Sequence, residues 1–115
     1  MVNRADVLEH MGGDVELMRK MVPVFLDESL QLFAALEQGL ARDDRDAVEQ
    51  AAHGLKSALG HWTQGDAFAA ARDLEEAARS GTSQDLIEPW GRLCEALPIA
   101  REGVSRLRAQ ALVTV

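Results

Sequence analysis

Cysteine is almost absent from this chain of 115 residues. Its one thiol, Cys94, has no second cysteine with which to form an internal disulfide or a thiolate metal cluster. A disulfide-stapled scaffold is excluded, and the pattern fits a reducing compartment. Basic residues are also scarce, with 12 Lys and Arg against 19 Asp and Glu and a formal charge of −7. A field of that sign repels phosphate backbones and anionic membranes, so nucleic acid is not an expected partner. The opening, Met1-Val2-Asn3-Arg4-Ala5-Asp6, holds no apolar signal core, and no stretch approaches the roughly 20 apolar residues of a spanning helix. No membrane insertion is expected, and the chain reads as cytoplasmic. Strand-type alternation is missing too, since Val, Ile and Thr do not gather between turn signals.

What remains is a helical chain with enough apolar content to fold. Hydrophobic residues make up 47% and charged residues 27%, ordinary values for a globular protein. The length suits one core, so residues 1–115 are read as one all-α domain. Breaks fall at Gly12-Gly13, Asp43-Asp44, Gly65 and Ser80-Gly81, which mark off a short leader and four longer helices. The leader, residues 4–10, places Val7, Leu8 and Met11 where they cap one end of a bundle. The second helix begins near Asp14 and repeats Met18, Val22, Phe25, Leu32, Leu36 and Leu40 on one face, with a kink or short break expected at Pro23.

The third helix, residues 44–62, lines up Val48, Ala52, Leu55, Leu59 and Trp62 in one seam. The fourth, residues 66–79, repeats Ala67, Ala71, Leu74 and Ala78, whose small side chains allow close packing. The last opens on Thr82-Ser83-Gln84-Asp85, similar to a capping box, and carries Leu86, Trp90, Leu93, Leu97, Ala100, Val104, Leu107 and Ala111. Pro89 is tolerable in its first turns, whereas Pro98 is expected to bend it. Short connections between amphipathic helices favour an antiparallel up-down four-helix bundle.

One histidine stands out from this pattern. At about 100° per residue, His53 lies about 140° from the centre of the third helix's seam, so it points away from the core. Lys56, Ser57 and Gly60 fall within about 60° of it on the same strip. An unperturbed imidazole is largely neutral near pH 7 and is a usable nucleophile without a dedicated base. Lys56 offers a point charge to a phosphate, while Ser57 and Gly60 leave room for a partner to descend. Phosphoryl transfer needs mainly positioning and charge stabilisation, much of which a partner and its metal ion supply. Geometry alone leaves open the plainer reading, in which His53 is one of three surface histidines without a role.

Other chemistries find less support. His53 and His61 are eight residues apart, about 12 Å along a helix, and cannot share an ion locally, so no metal site is expected. Gly12-Gly13 lacks the later glycine and lysine of a P-loop. No local nucleophile turn marks a serine or cysteine triad, and Cys94 reads as a small packed hydrophobe. Trp62 and Trp90 occupy seam positions and read as core filling.

Ala52-His53-Gly54-Leu55-Lys56-Ser57 resembles the alanine-histidine-any-leucine-lysine-glycine signature of the histidine phosphotransfer (HPt) domains of bacterial multistep phosphorelays. Gly12-Gly13-Asp14, Leu17 and Phe25-Leu26 resemble the family's opening. Ala35, Leu36 and Asp44 resemble the approach to the histidine helix, and Leu74-Glu75 stands where the family often has leucine and glutamate. The likeness covers residues 7–81. It departs at Ser57 and Thr63, where glycine is common, and at Ala67, where a larger apolar residue is common.

The resemblance implies a four-helix bundle that carries a phosphoryl group on His53, with Lys56 as its electrostatic neighbour. Glu75 is a further candidate, because a polar residue there reaches the phosphoacceptor ring in some relatives and a carboxylate could hold the second ring nitrogen and fix the tautomer; an ordinary exposed glutamate is the plainer alternative. The implied partners are response-regulator receiver domains and hybrid sensor histidine kinases, met in weak, transient contact by a monomer. No cofactor is implied for this chain, Mg2+ being expected on the receiver alone, and no kinase activity of its own. A competing reading is a helical adaptor, never phosphorylated, that binds and inhibits a receiver or kinase.

Overall fold

The computed structural model describes the backbone of residues 2–113 and the side chains of residues 2–108. Among these residues five α-helices follow one another: α1 (Arg4–His10), α2 (Val15–Ala41), α3 (Arg45–Gly60), α4 (Asp66–Ser80) and α5 (Ile87–Val113), with one 3₁₀ turn at Ser83–Leu86. Each of the first three starts on a side chain that accepts an otherwise orphaned backbone N–H. Asn3 accepts from Asp6 at 3.1 Å, Asp14 from Leu17 at 3.0 Å and Asp44 from Ala47 at 3.1 Å. Between α1 and α2 the chain reverses through Gly12 and Gly13 at φ 69° and 77°, a left-handed conformation that glycine adopts without a Cβ clash. Asp43, at φ 54°, makes the corresponding turn before α3, and its carboxylate accepts from Ser83 Oγ at 2.5 Å.

The four long helices close into a ring, α2 packing on α3 and α5 and α4 packing on the same two. This is the antiparallel up-down bundle expected of the sequence. All five positions of the α3 seam and all four of the α4 seam are buried. In α2, Met18, Val22, Phe25 and Leu36 are buried, while Leu32 and Leu40 are half-buried at its flank. The last seam is buried from Leu86 in the 3₁₀ turn to Leu107 in α5 except for half-buried Trp90, which stacks on Phe33 with ring centroids 5.0 Å apart. Ala111 lies outside the described side chains. From α1, buried Val7 and partly buried Leu8 and Met11 cap the bundle.

Two local features refine the sequence expectation. Of the kink or short break expected at Pro23, the break is absent, since α2 runs 27 residues without interruption. Buried Met18 and Val22 before the proline and Phe25 and Ser29 after it pin both halves to the core, so packing outweighs one missing backbone hydrogen bond. The capping box does close, Asp85 accepting from the Thr82 N–H at 2.8 Å. It opens the 3₁₀ turn, however, and not α5 itself. That tighter turn carries Leu86 into the core, and α5 starts only at Ile87, with exposed Pro98 inside a helix that runs on to Val113. Among the described residues, no helix is long and apolar enough to cross a membrane.

Candidate functional site

The α3 seam turns His53 outward, and its side chain is 60% exposed. On the facing flank of α4, Glu75 sits about 70° from the seam of Ala67, Ala71, Leu74 and Ala78. That angle places it where α4 closes against α3, and its side chain is only 6% exposed. Its Oε2 lies 2.8 Å from His53 Nδ1, and its Oε1 lies 2.7 Å from Lys56 Nζ. Arg79, one turn further along α4, donates to the same Oε2 at 3.1 Å and also reaches Glu76 at 3.1 Å and Glu49 at 3.3 Å. Three donors from two helices therefore converge on one buried carboxylate.

Burial alone pushes the Glu75 carboxyl up, but the hydrogen bonds and charges of Lys56 and His53 outweigh it and hold the group below its ordinary value. Glu75 is thus ionised and accepts only. The contact to His53 then requires Nδ1 to be the protonated nitrogen, which leaves the Nε2 lone pair as the reactive position. Among the described residues, no hydrogen bond reaches Nε2. An oriented ring with one open nitrogen is suited to nucleophilic attack on an electrophile that arrives from solvent.

The remaining sequence candidates have distinct surroundings. Lys56 is a partly buried cation tied to Glu75, its side chain 27% exposed. Ser57 is exposed beside His53. A Cβ added at Gly60 would lie 3.4 Å from Phe68, so the bare backbone there lets that ring rest against the end of α3. Gly54, within the histidine motif, faces Leu32 so closely that an added Cβ would stand 3.0 Å from its Cδ2. This contact seats α3 against α2. Cys94 is half-buried and remote from this cluster, and burial with the charges of Glu37 and Glu95 pushes its thiol up, which makes it a poor nucleophile.

Arg79 and Glu49 were not among the sequence candidates. Their only signal is spacing, Arg79 four residues after Glu75 and Glu49 four before His53.

The family model of the Hpt domain matches residues 20–110. The chain belongs to the Hpt domain family. Hpt domains transfer phosphoryl groups within phosphorelays, interact with receiver domains and kinases, and are phosphocarriers without kinase activity of their own. The matched span begins after Gly12-Gly13-Asp14 and Leu17, and it includes most of α5, for which periodicity alone spoke in the sequence. No curated protein and no solved structure matches the chain.

Proposed function

We propose that this Hpt domain is a phosphocarrier that accepts a phosphoryl group on His53 Nε2 from a receiver-domain aspartate and passes it to another. The observation that carries the reading is the exposed imidazole whose Nδ1 is held by buried Glu75. In the accepting step the Nε2 lone pair forms the N–P bond while the bond from phosphorus to the aspartyl oxygen breaks. The electron pair of that bond leaves with the aspartate carboxylate. Nδ1 keeps its proton, so the ring becomes a phosphorylated imidazolium whose charge lies against Glu75. The reverse sequence delivers the group to the next receiver.

Lys56 supplies positive charge beside the incoming phosphoryl group, and Ser57 and Gly60 keep the strip low enough for a receiver to dock. Glu75 orients the ring. Any Mg2+ used in the transfer belongs to the receiver. Phosphate from a labelled receiver should pass to the protein in an acid-labile, base-stable form, and His53→Gln should abolish the labelling. Binding of receivers without transfer would instead favour an inhibitory adaptor.

A further inference from the structure

The structure brings together two histidines that the sequence keeps 51 residues apart. His10 stands in the last turn of α1 and His61 caps the C-terminal end of α3. His10 Nε2 lies 3.2 Å from His61 Nδ1, with ring centroids 5.4 Å apart and ring planes inclined by 55°. Both residues are exposed, so core packing does not force the rings to meet. We infer that His10 and His61 form a two-histidine site for a divalent transition-metal ion that clips the leader helix to the end of α3.

The spacing of the two nitrogens is the first argument. A Zn2+ ion bonds imidazole at about 2.0–2.1 Å, and a tetrahedral angle then sets two ligand nitrogens about 3.3 Å apart. The observed 3.2 Å meets that requirement without movement of either helix. In the metal-free protein one ring donates its N–H to the other. Rotation of the two exposed side chains, with the donor ring's proton exchanged through solvent to its other nitrogen, turns that hydrogen bond into a pair of lone pairs converging on one point while both imidazoles stay neutral.

Ligand chemistry then selects the ion. Two neutral imidazoles suit Zn2+, Cu2+ or Ni2+, whereas Mg2+ and Ca2+ demand oxygen ligands. Among the described residues, no group of three or more His, Cys, Asp and Glu side chains is arranged to hold an ion. The other coordination positions therefore go to water, which makes the site open and exchangeable in contrast to a closed structural zinc site. The chain's formal charge of −7 attracts cations generally. Its structural effect would fall on α1, which otherwise holds to the bundle through Val7, Leu8 and Met11. His53 lies eight residues before His61, about 12 Å away along the helix, and cannot share the ion.

Zinc chloride titrated into the full chain by calorimetry tests the assignment, with His10→Ala, His61→Ala and His53→Gln in parallel. Circular dichroism will check that each variant is folded. Micromolar binding of one ion is expected in the parent and in His53→Gln. Loss of a mere supporting contact costs about 10- to 100-fold in metal affinity, so loss of a ligand should weaken binding by at least about tenfold in each of the other two variants. Zinc should also raise the Tm of the parent and leave that of His10→Ala unchanged. Absence of micromolar binding in the parent would overturn the inference, as would binding that survives both ligand substitutions or disappears in His53→Gln.

Discussion

Replacing Glu75 by Gln removes one charge from the buried carboxylate that three donors share, and the structure sets the size of the effect. Hydrogen bonds to a charged group contribute about 1.5–3 kcal/mol each, but their values do not add when they meet at one atom pair. His53 and Arg79 are largely exposed, with side chains 60% and 55% accessible, so water replaces much of what they lose. Lys56, at 27%, is compensated less. The expected loss is about 2 kcal/mol at pH 7, a substantial part of the roughly 5–15 kcal/mol that holds a domain of this size together.

The pH dependence gives a sharper test than the magnitude. The folded-state pKa of Glu75 lies below its ordinary value of 4.5. Its ionised form therefore stabilises the fold fully above that value, and the contribution disappears as the pH falls through the lower, folded value. Below that point a protonated Glu75 resembles Gln, while all other acids titrate alike in the two proteins. Urea unfolding should show a gap of about 2 kcal/mol at pH 7 that narrows to a few tenths in strong acid. Equal stability at pH 7, or a gap that persists at low pH, would refute the reasoning.

Lys56→Ala should leave a folded protein that accepts phosphate from a receiver on the order of tenfold more slowly, measured in rapid-quench transfer assays. Ser57→Trp should keep stability within about 0.5 kcal/mol, because the position is exposed. The same variant should abolish transfer and receiver binding alike, as read by calorimetry. Two glycines should respond in opposite directions. Gly91→Ala in α5, with no atom within 4 Å of the new Cβ, should stabilise by about 0.5–1 kcal/mol in urea unfolding. Gly39→Ala should destabilise, since its Cβ would meet Val48 at 3.0 Å, a fully buried and stiff side chain.

The helices were legible because a helix that buries one stripe must repeat it every three or four residues, as Val48, Ala52, Leu55, Leu59 and Trp62 do. The same rule turns His53 outward from the sequence alone. It was silent about Glu75, because a carboxylate about 70° from a seam is equally compatible with solvent and with a helix–helix flank. Only the closing of α4 against α3 decides between them. Arg79 and Glu49 share that difficulty, and the meeting of His10 with His61 depends on contacts that span half the chain. Pro23 shows the opposite limit, a helix that the proline does not interrupt because burial holds both sides of it.

If His53 carries the phosphoryl group as proposed, the buried carboxylate beside it would repel that group. At the roughly 6.5 Å that would separate the Glu75 carboxylate from phosphorus on Nε2, and at an effective dielectric of about 20, two like unit charges repel by about 2.5 kcal/mol, and a phosphoryl group brings nearly two of them. The cluster offsets this in two ways. Lys56 and Arg79 both contact Glu75, so its carboxylate is already matched by cations before His53 is modified, although Arg79 is shared with Glu49 and Glu76. The carboxylate also binds Nδ1, across the ring from Nε2, and would face the imidazolium charge that formation of an N–P bond would create. Once that charge neutralised Glu75, Lys56 would be held less firmly and could turn toward the phosphoryl oxygens. On the proposed reading Glu75 would hold Lys56 in the resting protein and release it in a phosphorylated one. The acidic chain thereby keeps a cation beside the one histidine that would carry phosphate.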